Sequence, residues 1–282
     1  MRDILSTIND HTWIIMAAVA AIGASMASFI GVLVDRLPHM VGLRQNPDKQ
    51  MNLVRPSSCQ SCHSRVDAIS LIPVIGWILI KGRCRNCGAR ISWEYPLTEV
   101  IVGVLSVAVV WKYGASTSSI IALCGLWLMT AMSWMDLREG WLPGEMTQPF
   151  LVIGLLASPL DIFFVDRVEG LAISFVGAIL SFGWLSWRKN KKLMAGGDIV
   201  LLAGCGGWVG INTLPAFLMS VSVLYLIHHI LVRILNKKWE PKEAEIKEGV
   251  GDGIFIPMGP AIAIVFVFFL LSQSFCIKAI CF

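Results

Sequence analysis

The stretch Leu193-Met194-Ala195-Gly196-Gly197-Asp198-Ile199-Val200-Leu201-Leu202 places one carboxylate between two glycines and the start of an apolar run. Whether that run, 199–214, crosses a membrane decides how many passes the chain makes. A charge at the end of a membrane helix is energetically expensive, and such residues usually serve a function. The alternative is a helix N-cap, a role that aspartate fills well. A second carboxylate at the same place would separate the two interpretations of Asp198.

The composition is that of an integral membrane protein. Of the 282 residues, 56% are hydrophobic and only 15% are charged, and the mean hydropathy is +0.70. Several apolar runs approach the roughly 20 residues that a helix needs to cross a bilayer. The net charge of +4 is small, and the basic residues mark the orientation of the chain in the membrane. We therefore expect a lipid bilayer, and no nucleic acid, as a partner.

We predict an all-α polytopic membrane protein with about eight transmembrane helices. The first apolar run, 13–34, carries Gly23, Ala27 and Gly31 four residues apart, a spacing that permits close helix packing. The segment 35–38, Asp-Arg-Leu-Pro, is expected to end this helix. The other predicted spans are 97–113, 118–135, 150–165, 168–187, 199–214, 216–235 and 254–271.

The lysines and arginines orient these spans. With the N-terminus outside, the inside segments are 35–96, 136–148, 188–197 and 233–252, and they hold all but four of the 23 basic residues. Cytoplasmic loops carry such an excess. The run 199–214 must then cross, because otherwise the basic segment 233–252 would lie outside. The predicted division is a tail with the first helix (1–34), a cytosolic polar domain (35–96) and a seven-helix membrane domain (97–282).

The polar domain contains two Cys-x-x-Cys pairs, Cys59 with Cys62 and Cys84 with Cys87. Two such knuckles at this separation fit a zinc ribbon, in which four thiolates surround one tetrahedral ion. Two disulfides are the alternative, and a cytosolic position favours zinc. The intervening residues 69–80 are expected to form a short strand and turns. Four thiolates leave no open coordination position, so the predicted zinc is structural.

A second carboxylate, Asp136, directly follows the third predicted span. The chain leaves the cytosol through the fourth helix and returns through the fifth, so Asp136 and Asp198 both lie at cytosolic helix ends. Two carboxylates brought close together cannot both ionise easily and share a proton. One can activate a water as general base while its protonated partner polarises a peptide carbonyl, as in an aspartic protease. The alternative is that each carboxylate only terminates its helix.

An ordered set of short motifs extends over nearly the whole chain. The motifs are Ser28-Phe29 with Arg36-Leu37-Pro38, the paired cysteines, Ile72-Pro73-Val74, Lys81-Gly82-Arg83-Cys84, Ile91-Ser92, Tyr95-Pro96-Leu97-Thr98-Glu99, Asp136 with Leu142-Pro143, Gly197-Asp198 with Leu201-Leu202-Ala203, Gly206-Gly207-Trp208, and Ile256-Pro257-Met258-Gly259-Pro260. Their order resembles that of the bacterial type IV prepilin peptidases, also called prepilin leader peptidase/N-methyltransferases. The ordered set is far more specific than any one motif.

This resemblance implies a membrane aspartic endopeptidase of the bacterial inner membrane. Such an enzyme removes the basic leader of type IV prepilins or type II secretion pseudopilins at the cytosolic face, and methylates the new N-terminal amine from S-adenosylmethionine. The family's catalytic aspartates correspond to Asp136 and Asp198, and its zinc-type cysteines to the two cysteine pairs. Gly82 corresponds to a glycine linked to methylation, and Glu99 lies in a segment linked to the same activity.

The chain departs from the family pattern at a few positions. Ala195 stands at the first glycine of the family's Gly-x-Gly-Asp motif, while Gly196 and Gly197 leave the backbone free before Asp198. Gly144 replaces the aspartate that usually follows the Leu-Pro pair. None of these departures alters Asp136 or Asp198.

Two other functions are considered. A non-catalytic membrane assembly factor would use the zinc domain to dock a cytosolic partner, and would depend on its cysteines but not on its aspartates. A peptidase without methyltransferase activity would leave the new amine unmethylated. Cys276 and Cys281 of the predicted periplasmic tail could form a disulfide. The sequence predicts neither the oligomeric state nor which pilins are cut.

Overall fold

A computed structural model describes residues 2–42, 52–189, 196–234 and 257–272. These residues are mainly helical and include no β-strand. They belong to two compact units, Met1–Ala115 and Ser116–Phe282. The first unit contains α1 (Arg2–Met40), α2 (Ile75–Leu79) and α3 (Glu94–Tyr113), and the second contains α4 (Thr117–Glu139), α5 (Gly144–Ala157), α6 (Phe164–Lys189), α7 (Gly196–Ile234) and α8 (Gly259–Ser272). The all-α prediction is confirmed.

In the first unit, α1 packs along α3 through small side chains. A side chain on Gly23 would lie 2.5 Å from the hydroxyl of Ser106 on α3, closer than two such atoms can approach. Ala27, one turn further along α1, has no exposed surface. The predicted close-packing face of the first helix is therefore confirmed.

The end of α1 lies beyond the predicted stop at 35–38. The helix continues to Met40 and contains Pro38 in its last turn. Leu37 is buried, and its packing outweighs the preference of a residue before proline for extended backbone. Arg36 ties the following segment to the helix, because its Nη1 donates hydrogen bonds to the carbonyls at positions 52, 53 and 55 (2.8, 3.2 and 2.6 Å).

The segment between the cysteine pairs is helical, and the prediction of a strand over 69–80 was wrong. A single 3-10 turn covers Ala68–Leu71, and α2 follows at Ile75. The two are held together at Gly76, where any side chain would collide with the Ser70 carbonyl. Among the described residues, β-type pairing is limited to two isolated bridges, Ser58 with Arg65 and Arg83 with Arg90. Each bridge closes one cysteine knuckle.

In the second unit the core is built around Trp208 of α7. Its indole ring lies 5.3 Å from the rings of both Phe150 on α5 and Phe266 on α8. A side chain on Gly125 of α4 or Gly154 of α5 would collide with the indole. The indole N–H donates to the Phe150 carbonyl (2.8 Å). One tryptophan thus fixes four helices against each other, including the three that carry the candidate site.

Four described helices are long and apolar enough to cross a membrane: Thr12–Met40, Glu94–Tyr113, Thr117–Glu139 and Gly196–Leu231. The last one covers the predicted span 199–214 and residues 216–231 of the predicted span 216–235. They are joined at Gly210, whose φ of 70° and ψ of 166° interrupt the helix. The predicted spans are separated at residue 215, and the break falls five residues earlier because glycine tolerates a positive φ.

The helix α5 spans Gly144–Ala157 and not the predicted 150–165. Its end coincides with Ser158-Pro159, where the residue before proline disfavours helical backbone. The Ser158 hydroxyl donates to the Trp208 carbonyl (2.5 Å) and accepts the N–H of Leu160 (3.1 Å), which stabilises the turn. The last predicted span, 254–271, appears as the apolar helix α8, while its first three residues lie outside the described chain, as do Ala195, Cys276 and Cys281.

Candidate functional site

Two buried carboxylates lie at the ends of different helices in the second unit. Asp136 is in the last turn of α4 and is 2% exposed, and Asp198 is in the first turn of α7 and is 8% exposed. The α4 helix ends directly afterwards at Gly140, which has a left-handed backbone with φ 62°. The negative charge of Asp198 acts on Asp136. The carboxylates whose pairing the sequence predicted are therefore electrostatic neighbours.

The glycine before Asp198 allows the start of α7 to approach the loop after α4. A side chain on Gly197 would lie 2.5 Å from the Leu142 carbonyl, so only glycine fits there. A side chain on Gly196 would meet nothing within 4 Å. Of the two glycines expected to leave the backbone free, the close approach requires only Gly197.

One oxygen of Asp136 is held by the start of α8. The N–H of Gly259 donates to Oδ2 of Asp136 at 2.6 Å in a buried position, and Met258 contributes a second backbone hydrogen bond. A side chain on Gly259 would lie 2.9 Å from the same oxygen and 3.0 Å from the Asp136 Cβ. This contact was not predicted, although Gly259 belongs to one of the quoted motifs, because 123 residues separate the two partners.

Tyr225 is a third polar group near the pair, and sequence reasoning missed it. It lies on the second segment of α7 and interacts electrostatically with both Asp136 and Asp198. A straight helix would separate residues 198 and 225 by about 40 Å. The chain must therefore fold back at Gly210, which makes the two segments of α7 separate passes. The available signal was that the chain has only three tyrosines and this one interrupts an apolar run.

Glu139 adds another buried carboxylate to the same end of α4. It follows Asp136 by three residues, which places both on one face of the helix, and it is 4% exposed. Acids are seldom buried to this extent in proteins. Glu139 was not predicted to belong to the site, because a glutamate in the last turn before a glycine is usually part of a solvated helix end.

The four cysteines of the first unit converge on one point. Their sulfur atoms all lie within 4.8 Å of one another, with Cys59 and Cys87 3.7 Å apart and Cys62 and Cys84 3.9 Å apart. A tetrahedral site with metal–sulfur bonds of ~2.3 Å has edges of ~3.8 Å. The sulfurs are thus spaced for a metal ion and far beyond the ~2.05 Å of a disulfide. All four are free thiols, and the predicted cysteine cluster is confirmed.

Hydrogen bonds prepare one of these thiols for metal binding. The hydroxyl of Ser64, followed by its backbone N–H and by the amide of Asn86, lowers the pKa of Cys62 to about 6. The thiolate is the form that binds a metal. His63, next to Cys62, has a positive φ of 56° and serves the turn of the knuckle. Four sulfurs already complete a tetrahedron, so His63 is not needed as a ligand.

The resemblance to the family links two further residues, Glu99 and Gly82, to methylation. Each of them has a clear structural role in its surroundings. Glu99 on α3 is 7% exposed and accepts the N–H of Val74 at 2.7 Å, with a second hydrogen bond from Ser28. Val74 has a positive φ of 61°, which is strained for a β-branched residue. Gly82 has φ 63°, and a side chain there would lie 2.6 Å from the Trp77 ring. No described contact joins Glu99 to Gly82.

Comparison with protein families covers most of the chain. The sequence profile of the Bacterial Peptidase A24 N-terminal domain matches residues 21–113, which include the cysteine cluster and Glu99. The profile of the Type IV leader peptidase family matches residues 123–230, which include Asp136, Asp198 and Tyr225. The two matches fall on the two compact units.

Individual relatives match over similar lengths. A prepilin leader peptidase/N-methyltransferase of Aeromonas hydrophila is 31% identical, over 94% of this chain and 93% of its own. One of Dichelobacter nodosus is 32% identical over 72% and 78%. A type 4 prepilin-like proteins leader peptide-processing enzyme of Escherichia coli O78:H11 is 32% identical over 77% and 86%. No solved structure matches the chain.

Proposed function

Because this chain belongs to the type IV leader peptidase family, we propose that it is an aspartic endopeptidase whose water-activating pair is Asp136 and Asp198. The observation that carries the proposal is that these two carboxylates are buried at the ends of α4 and α7 and are close enough for the charge of one to act on the other. Burying two like charges together is costly, and functional sites are where such arrangements concentrate. Two carboxylates that only terminated their helices would not need to lie close together.

In the proposed reaction the two carboxylates share one proton. The ionised group takes a proton from a water molecule, and the oxygen of that water attacks the carbonyl carbon of the scissile peptide bond. The protonated group donates its proton to the carbonyl oxygen as the tetrahedral intermediate forms. That proton returns when the C–N bond breaks, and the leaving amine takes the proton that the other carboxylate accepted from water. The pair titrates as a unit, so the proton is assigned to neither aspartate. The N–H of Gly259 orients Asp136, and Tyr225 interacts electrostatically with both carboxylates.

The proposed substrates are type IV prepilins or type II secretion pseudopilins, cut after a short basic leader at the cytosolic face of the inner membrane. A prepilin substrate is supported by relatives that are themselves prepilin-processing enzymes. The excess of basic residues in segments 35–96, 136–148, 188–197 and 233–252 supports a cytosolic position for the helix ends that carry both aspartates. The direct test is to incubate the full-length chain in lipid nanodiscs with a prepilin, expecting release of the intact leader. No release from any prepilin or pseudopilin would contradict the proposal.

Zinc is the proposed occupant of the cysteine cluster, with Cys59, Cys62, Cys84 and Cys87 as its ligands. A closed four-thiolate site supplies no chemistry to a substrate and instead stabilises the fold of the segment between α1 and α3 that carries the cysteines, which we call the insertion. We expect the purified chain to contain about one zinc ion per molecule. The variant Cys84→Ser should lose it, since three thiolates hold the ion much more weakly. The measurement is metal content by elemental analysis.

Cys124→Ser is the matched control for this experiment. Cys124 lies on α4, outside the cluster, so its replacement should leave the zinc content unchanged. An equal loss in both variants, or thiol titration that finds the four cysteines oxidised, would refute the zinc assignment.

We propose that the chain also methylates the new N-terminal amine from S-adenosylmethionine, and that Gly82 and Glu99 support this activity. The variant Gly82→Ala would push against the Trp77 ring and disturb the segment that Glu99 holds through Val74. We expect it to release the leader normally and to leave the mature pilin unmethylated. Mass spectrometry of the mature N-terminus measures both outcomes at once.

The matched control for Gly82→Ala is Gly42→Ala. Gly42 also has a positive φ, of 70°, but nothing lies within 4 Å of the added side chain. It therefore reproduces the backbone strain without the collision. A methylated product from Gly82→Ala would overturn the role of Gly82. An unmethylated product from the unaltered chain would show instead a peptidase that lacks the transferase activity.

A further inference from the structure

The insertion of the first unit has an unusually apolar exposed surface. Six large aliphatic side chains within eleven residues are 44–60% exposed: Ile69, Leu71, Ile72, Ile75, Ile78 and Leu79. Isolated exposed aliphatic residues are normal, but a contiguous group usually marks a contact with a membrane or a partner. We call this group the aliphatic face.

The aliphatic face is one side of an amphipathic element. In α2, positions 75, 78 and 79 lie on one side of the helix because they are spaced by three and four residues. The opposite side is packed, since Gly76 contacts the Ser70 carbonyl and the Trp77 indole N–H donates to the Ile91 carbonyl at 3.3 Å. The apolar side chains are therefore held outward by the fold of the insertion itself.

A hydrogen bond fixes the height of this element relative to the membrane helix α3. The N–H of Val74, the residue before α2, donates to the buried carboxylate of Glu99 at 2.7 Å. Glu99 is five residues past the start of α3 at Glu94, which corresponds to ~8 Å along the helix axis. The interfacial layer on each side of a bilayer is about 5–8 Å thick. With the start of α3 at the outer edge of this layer, a segment bound ~8 Å along the helix lies at the boundary between headgroups and acyl chains.

The charges around the aliphatic face suit an anionic lipid surface. Residues 52–96 contain six arginines and lysines against the two acids Asp67 and Glu94. Lys81, Arg83 and Arg90 are exposed shortly after α2. Trp93, 64% exposed at the start of α3, is of the residue type that concentrates at the membrane interface. Apolar residues on one side with basic residues beside them are typical of interfacial helices.

We propose that the aliphatic face of the insertion lies on the lipid headgroup–acyl boundary, with its apolar side chains in the bilayer and Lys81, Arg83 and Arg90 at anionic headgroups. The hydrogen bond from Val74 to Glu99 holds the face at this depth. The proposal rests on α3 as a membrane helix and does not depend on the peptidase activity. A protein segment such as the apolar helix of a substrate is the competing occupant, and the experiment separates the two.

The experiment places the photo-crosslinking residue p-benzoylphenylalanine at position 78 of the full-length chain, in nanodiscs of phosphatidylethanolamine and phosphatidylglycerol. The same residue replaces Val104, an exposed position within α3, as the positive control. It replaces Gln60, an exposed position in the first cysteine knuckle, as the matched negative control. Unchanged metal content of each variant shows that the insertion remains folded.

We expect phospholipid adducts by mass spectrometry at positions 78 and 104 and none at position 60. Three results would each overturn the proposal: a cross-link from position 78 to added prepilin only, a cross-link to another part of the same chain, or no adduct while position 104 reacts. Because leader removal is not the readout, failure here leaves the proposed peptidase activity to be judged by its own assay.

Discussion

Leader removal falls by roughly 10²–10⁴-fold when either Asp136 or Asp198 is replaced by asparagine, the size of effect expected from the loss of general acid–base catalysis. Asparagine has nearly the same shape as aspartate and can still accept the N–H of Gly259. The fold should therefore survive, and the loss would come from the missing titratable group. The measurement is kcat/KM for prepilin cleavage by the full-length chain in nanodiscs.

This experiment separates a catalytic role of the two aspartates from a purely structural one, because the two roles predict opposite results. Asparagine can accept the same backbone hydrogen bonds as aspartate, so two residues that only terminate their helices would tolerate Asp136→Asn and Asp198→Asn without loss. The double variant is informative as well. Residues that act as one catalytic unit have non-additive effects. The rate of the double variant should therefore be close to that of the slower single variant.

The matched control is Asp161→Asn. Asp161 is a half-buried carboxylate of the same unit, and its Oδ1 accepts the N–H of Phe163 at 2.9 Å, a bond that asparagine can also accept. Cleavage by this variant should be unchanged. Normal cleavage by Asp136→Asn would refute the aspartic mechanism. If Cys84→Ser in addition abolished pilus assembly, a non-catalytic assembly factor would be the better description.

The second large effect is expected from Gly259→Ala. The added methyl group would lie 2.9 Å from Oδ2 of Asp136 and 3.0 Å from its Cβ, so the carboxylate must move away from the N–H that orients it. A misplacement of about 1 Å can cost roughly 10²-fold in rate, and we expect kcat to fall by about that factor. KM should stay near its original value, because the change acts on the orientation of Asp136.

Gly183→Ala on α6 is the control for this substitution. It also adds one methyl group to a helix, but nothing lies within 4 Å of it, and alanine is the better helix former. Activity and thermal stability should both be retained. A Gly259→Ala variant with normal kcat, or one whose loss is explained entirely by a lower melting temperature, would show that the contact does not position Asp136.

Sequence reasoning was most effective where one physical rule acts over the whole chain. The apolar runs and the excess of basic residues predicted that 199–214 and 216–235 are separate passes, and the fold-back that brings Tyr225 near Asp198 agrees with this. The spacing of the cysteines predicted their cluster, because two turns with the same geometry readily face each other. Asp136 and Asp198 were expected to be neighbours from topology alone.

The rest depended on tertiary contacts that no local pattern encodes. Residues 69–80 were expected to be a strand because of their isoleucines and valine, yet the hydrogen bond from Val74 to Glu99 and the packing of Trp77 on Gly82 favour a short helix. The break in α7 falls at Gly210, five residues before the junction of the two predicted spans, and the side chain of Asp161 leaves no room there for a Cβ. The contact of Gly259 with Asp136 joins residues at opposite ends of the second unit's sequence.

The glycine at 210 also meets a condition set by the thickness of the bilayer. Without the break, the 39 residues of α7 would form one rod about 58 Å long, nearly twice the ~30 Å of the hydrocarbon core. Tilting relieves only a modest hydrophobic mismatch, so a rod of that length would force apolar residues into water. Any side chain at position 210 would both strain the backbone and collide with Asp161. The thickness of the bilayer therefore requires a break in α7, and the backbone conformation and Asp161 require glycine at that break. Both requirements are independent of the chemistry at the two aspartates.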